Sequence, residues 1–149
     1  MSDRNILLLL RQINICLGLY ENKKLVASGM TFSQAFLLNE LFSMDVRGVC
    51  SKELSQRVGF ARSSISRTLK ELQRNGYVRM RTDAKDNRKK HIILTKKARE
   101  AEPTVKGYMA ELTGELLRAI PEYSLPEIEN ALQMILDNIQ PEIQRRPIL

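Results

Sequence analysis

Residues 51–76 constrain the fold of this chain more than any other stretch, because they hold two short helical segments on either side of one glycine. Ser51 reads as an N-cap, and Glu53 sits in the first turn, near the positive end of the helix dipole. The helix it opens covers residues 52–58. Gly59 then offers the positive φ that closes such a helix. A second helix runs Arg62–Arg74 and stops at Asn75 and Gly76. Two short helices joined by a glycine-containing turn of this length form a helix-turn-helix.

The second helix has two distinct faces. Ile65, Leu69 and Leu72 fall at i, i+4 and i+7, the spacing of a core-facing stripe. The opposite face then carries Arg62, Ser63, Ser64, Ser66, Arg67, Lys70 and Arg74, each able to donate to phosphates or base edges. Such a face near a helix N-terminus suits the major groove, where arginine reads guanine with two hydrogen bonds and serine serves either base type. After Gly76 the apolar period changes from 3.6 to two. Val78 and Met80 alternate with Arg79 and Arg81, Ile92 and Leu94 flank Ile93, and residues 83–90 between them are polar and charged. This pattern predicts a β-hairpin with a long basic tip beside the second helix.

The flanking segments are helical. Residues 3–26 carry an apolar stripe wider than one partner surface needs, and Gly29 is placed to stop that helix. Thr31 and Gln34 form a capping box ahead of a helix through Leu41. Thr95 caps a long helix that continues to Ile120, with a kink expected at Pro103. Ser124, Leu125, Pro126 and Glu127 make a second capping box, opening a helix striped by Ile128, Leu132, Ile135, Leu136 and Ile139.

Charge is concentrated in the same middle third. Residues 51–99 hold 15 Lys and Arg against 4 Asp and Glu, a net +11, in a chain whose total is +7. A block of that density repels itself and contributes nothing to a core, so it reads as a surface for a polyanion. An adapter that used the same fold to bind protein would not need it. An RNA-binding module would show aromatic side chains for base stacking, and the second helix's polar face has none. A phosphate loop and a dinucleotide glycine fingerprint are both missing, and the lone histidine, His91, starts a strand of the hairpin. Neither a catalytic nor a metal site is expected, and no cofactor. Two cysteines thirty-four residues apart and a short apolar run at 6–10 predict a cytoplasmic protein without a disulfide framework or a membrane span.

The run Met30-Thr31-Phe32-Ser33-Gln34, then Lys52-Glu53-Leu54, Ser63-Ser64-Ile65-Ser66-Arg67, Gly76-Tyr77-Val78, Asp83-x-x-Asp86-x-Arg88 and Leu94-Thr95 resembles the multiple antibiotic resistance regulator (MarR) family of winged-helix transcription factors. The resemblance implies a mainly α fold with a small β-wing. A winged helix-turn-helix DNA-binding domain at 29–100 would lie between dimerisation helices at 1–28 and 101–149 that form one intertwined unit. It implies a sequence-specific regulator, a ligand-responsive repressor that binds a pseudo-palindromic operator in double-stranded DNA as a homodimer. Ser63, Ser64, Ser66 and Arg67 match the positions that meet the major groove. Arg88 matches the wing arginine that enters the minor groove, and Asp86 the aspartate that braces it. Lys89 and Lys90 add charge to the same tip. Ala98 departs from the family, which often has glycine there.

Further expectations concern ligand and thiols. Relatives of this family respond to small aromatic effectors held between two lobes, yet Phe42, Met44, Tyr108 and Met109 are residue types that more often pack a core. Cys16 lies four residues before Tyr20, but in the wrong register for the family's peroxide-sensing cysteine, and its aliphatic surroundings predict an inert, buried thiol. Cys50, beside a helix N-cap, is the more plausible reactive thiol of the two.

Overall fold

The computed structural model describes residues 3–23, 29–44, 48–59, 62–82, 84–85 and 90–145. In chain order these form α1 (Asp3–Lys23), α2 (Phe32–Phe42), β1 (Val49–Cys50), α3 (Ser51–Val58), α4 (Arg62–Arg74), β2 (Val78–Thr82), β3 (Lys90–Leu94), α5 (Lys96–Leu116), a 3₁₀ turn (Glu122–Ser124) and α6 (Leu125–Arg145). The chain divides into two compact units, Met1–Glu111 and Leu112–Leu149. The expected fold class, mainly helical with a small β-wing, is the one observed.

The core of the first unit draws on α2 to α5 and the sheet, and not on α1. Leu37 and Leu38 of α2, Leu54 of α3, Leu72 of α4, Val78 of β2 and Val105 of α5 are all fully buried, together with Met30. α2 supplies most of it, with Ala35, Leu37, Leu38, Leu41 and Phe42 all buried, so its pattern is that of a central helix and not of a surface one. Met44, Tyr108 and Met109 pack against this core, which accounts for them as packing residues. Burial raises the Tyr108 phenol above its usual value, and the neighbouring carboxylates of Glu21 and Glu111 push it the same way.

The sheet has three strands in the order β1-β3-β2, all antiparallel. The hairpin register runs from Val78 opposite Leu94 to Thr82 opposite Lys90, so Lys90 belongs to β3 and not to the loop in which the sequence pattern placed it. β1 is an addition to the expected hairpin. Val49 pairs with Ile92 and Cys50 with His91, and two residues are too few to show a period. Gly48 makes the approach possible: it holds φ at 113°, and a Cβ there would meet the His91 Cβ at 3.1 Å.

Helix ends follow the sequence with three departures. Thr31 caps α2 as expected, its Oγ1 accepting from the Gln34 N–H at 3.3 Å. Gln34 itself is buried, and its Nε2 donates to Glu71 Oε2 of α4 at 2.9 Å. Cys50, not Ser51, is the N-cap of α3, at φ −80° and ψ 155°. Strand pairing holds Cys50 extended, and the helix begins one residue earlier than expected. α5 is one continuous helix through Pro103 and closes at Leu116 instead of Ile120. Ala119 takes φ 66° just beyond it. Ser124 lies in the 3₁₀ turn that runs directly into α6, so it does not adopt the extended conformation of a capping-box residue.

Long aliphatic side chains remain exposed in each unit. Ile6, Leu7, Leu8, Leu9, Ile13, Ile15 and Leu19 of α1 are each at least half exposed. In α6, Leu132, Met134 and Leu136 are likewise at least half exposed. Cys16 is exposed on α1, which corrects the buried reading: its aliphatic neighbours are themselves uncovered on a single chain. No helix among the described residues is long and apolar enough to cross a membrane.

Candidate nucleic-acid interface

The helix-turn-helix places its two helices through local chemistry and three tertiary ties. α3 begins directly from β1, and the Cys50 thiol donates to Glu53 Oε1 at 3.1 Å. Gly59 closes the helix at φ 68°, its N–H donating to the Ser55 carbonyl at 2.9 Å. Leu54 anchors α3 in the core. Arg57 then fixes its far end, with Nε on Glu40 Oε2 at 2.7 Å and Nη2 on Ser43 Oγ at 3.1 Å. Arg57 and Glu40 are separated by 17 positions, so no helical spacing announces the pair.

α4 carries the amphipathic split that its sequence predicts. Ile65, Leu69 and Leu72 are buried, while Ser66, Arg67, Lys70 and Arg74 are exposed together on the opposite face. Ser64 departs from that group. It is half-buried on the flank, where the helical wheel sets it about 20° from Glu71, the residue that Gln34 holds toward α2. Arg62 and Ser63 open α4; their side chains lie outside the described residues.

The junction between α4 and the hairpin is held by Thr95 and Lys97. Thr95 Oγ1 accepts from the Ala98 N–H at 3.3 Å, capping α5, and lies 2.6 Å from the Gly76 carbonyl and 3.1 Å from that of Tyr77, to which it donates. Lys97 Nζ donates to the Asn75 carbonyl at 2.6 Å and lies 4.6 Å from the centre of the Tyr77 ring. Ala98 is fully buried. Arg79 and Arg81 project from β2 with exposed side chains, and Lys85 is exposed toward the hairpin tip. Asp86, Arg88 and Lys89 lie outside the described residues, so the structure does not place the expected wing-tip contacts. Lys90 is exposed at the start of β3.

A groove of about 680 Å³ opens beside α4. Lys52, Glu53 and Gln56 of α3 form one wall, Ser66, Lys70 and Gln73 of α4 another, and Met80 and Lys90 come from the sheet. Lys52, Gln56 and Gln73 are not among the DNA-contacting residues expected from the sequence. Gln73 was recoverable, at i+3 from Lys70 and i+7 from Ser66; the two α3 residues join the site only through the crossing of the helices. Lysines on three sides and hydrogen-bonding side chains between them suit a polyanionic backbone. Among the described residues no group of His, Cys, Asp and Glu is arranged to hold a metal ion.

Comparison with known proteins gives the same answer as the geometry. The family described as a winged helix DNA-binding domain matches residues 30–98. A MarR transcriptional regulator from Methanosarcina mazei Go1 is 27% identical, over 91% of this chain and 93% of its own, with a TM-score of 0.70. This chain carries a winged-helix DNA-binding domain and has the fold of that MarR regulator. The fold is also that of S. aureus MepR, solved as a DNA complex, at 21% identity, TM-score 0.78, over 88% of this chain and 95% of that one. The PcaV regulator from Streptomyces coelicolor, solved with its natural ligand, shares the fold at 22% identity and TM-score 0.74, over 87% and 89% of the two chains. No curated protein matches this chain's sequence.

Proposed function

We propose that this regulator binds a pseudo-palindromic operator as a homodimer and represses the genes beside it. The observation that carries the reading is the exposed polar face of α4, on which Ser66, Arg67, Lys70 and Arg74 stand free of the core while Ile65, Leu69 and Leu72 anchor the helix from behind. Ser63, Ser66 and Arg67 meet base edges in the major groove, and Lys70 and Arg74 meet phosphates. Arg62 and Ser64 flank that contact. The wing places Arg88 in the adjacent minor groove, whose narrow walls concentrate negative potential, with Asp86 orienting it and Lys89 and Lys90 on the backbone. S. aureus MepR, of the same fold, was solved with DNA.

The exposed aliphatic faces of α1 and α6 supply the dimer. Apolar surface of that extent on separate helices seeks a partner, and a second copy offers the same faces. On this reading 29–100 is the DNA-binding domain, and 1–28 with 101–149 form the dimerisation unit, which sets two recognition helices about one DNA turn apart, roughly 34–36 Å. A cytoplasmic dimer on a promoter blocks polymerase without further contacts. A small aromatic effector then shifts the population of DNA-competent spacings; PcaV, of the same fold, was solved with its natural ligand.

Fluorescence anisotropy with duplex from upstream of the regulator's own gene, against scrambled duplex at several salt concentrations, tests the proposal. A preference for the upstream duplex with affinity falling steeply in salt supports it. Absence of binding at low salt refutes it and favours a protein-binding adapter.

A further inference from the structure

Glu71 is the one carboxylate on α4, and its neighbours make it a hazard to the proposed interface. It stands four positions after Arg67 and three before Arg74, the two spacings at which opposite charges meet on a helix surface. An isolated α4 would let Glu71 pair with either arginine and neutralise a cation meant for DNA. The structure shows neither pair. Glu71 Oε2 instead accepts from Gln34 Nε2 at 2.9 Å, and Arg67 makes no ion pair among the described residues. Gln34 is 7% exposed, so its amide is fixed on the α2 side of the helix and cannot follow Glu71 outward.

We infer that Gln34 is a positioning residue for DNA recognition: it holds Glu71 toward α2 and thereby leaves Arg67 and Arg74 uncompensated. The inference rests on the DNA-binding reading of α4 above. The competition is close enough for one hydrogen bond to decide it. Exposed helical ion pairs favour themselves only weakly, and the order Arg67 before Glu71 is the less favourable of the two orientations. The bond to Gln34, by contrast, joins an ionised acceptor to a buried donor that has no water to turn to.

The test is a mutant cycle read on DNA. Gln34→Met removes the amide at similar volume and frees Glu71. Affinity for the preferred duplex should fall about twofold per recognition helix, so about fourfold where two helices share a duplex. Gln34→Met with Glu71→Gln removes the competing charge as well, and affinity should return to that of the unaltered protein. Thermal melting of each variant separates folding from binding. Should Gln34→Met melt below the assay temperature, Gln34→Asn, whose amide falls one methylene short of Glu71, serves in the same cycle. Unchanged affinity in the single variant overturns the inference. Equal weakness of the single and double variants also overturns it, since the loss would then come from packing. Arg67→Ala is run alongside: normal binding by it overturns the DNA reading of α4 as a whole, whereas weak binding by it beside a normal Gln34→Met overturns the role of Gln34 alone.

Discussion

Lys70 offers a quantitative test of the interface, because the structure leaves it an exposed cation on the wall of the groove beside α4, without a partner among the described residues. A lysine that neutralises one phosphate releases one condensed counterion, and log K then changes by about 0.9 for each tenfold change in salt. A homodimer presents two copies, so Lys70→Ala should lower the slope of log K against log salt by about 1.8. Taking the electrostatic gain as zero at 1 M, the loss of affinity is about 60-fold at 100 mM salt and about 18-fold at 200 mM. The preference for operator over scrambled duplex should stay constant, since a phosphate contact carries no sequence information. Anisotropy titrations at four salt concentrations on both duplexes measure these quantities together. Lys106→Ala is the control, a lysine of α5 already paired with Glu102 at 3.2 Å. A Lys70→Ala defect of the same size at every salt concentration would refute the phosphate assignment, because packing or folding losses do not scale with counterion release.

Arg67→Ala should differ in kind, relaxing preference at particular base pairs by about 1–3 kcal/mol per lost bidentate contact; an equal loss on every sequence speaks against base contact. Thr95→Val keeps the shape but deletes the α5 cap and the bond to the turn at Gly76 and Tyr77, and by chemical denaturation should cost about 1.5 kcal/mol, with Thr95→Ser close to the original. Gly59→Ala meets no atom within 4 Å but must hold φ 68°, so it should destabilise by about 1 kcal/mol through the backbone alone; a neutral result would show that the turn relaxes. Ile13→Asp combined with Leu132→Asp should convert a dimer to monomer in sedimentation at low micromolar concentration. A monomer without any substitution removes the dimer proposal.

Much of the winged helix was legible because its elements announce themselves over short distances. Ile65, Leu69 and Leu72 identify the buried face of α4 by spacing alone, and the shift to alternation after Gly76 marks β2. Thr31 and Thr95 are found as caps because a cap is a contact across three residues. Several of the misses depend on something distant. β1 is a strand only because β3 lies beside it. Cys50 displaces Ser51 as N-cap because it is tied into that sheet. Lys52 and Gln56 enter the groove through the crossing of α3 and α4, an arrangement that no window of sequence contains.

The sequence by itself determined the order of the helices and the hairpin, the buried face of α4, and the concentration of positive charge on the third of the chain that turns back as helix, helix and hairpin. These follow from periodicity, capping chemistry and charge, all of which act between near neighbours. Tertiary structure alone decided which polar groups meet. Gln34 is 37 positions from Glu71 and Arg57 is 17 from Glu40, and in each case the nearer helical partner loses to a distant one. For Gln34 the reason is burial: a buried donor must be satisfied wherever the fold brings an acceptor, and that requirement is stronger than the weak preference of exposed charges for their neighbours along a helix.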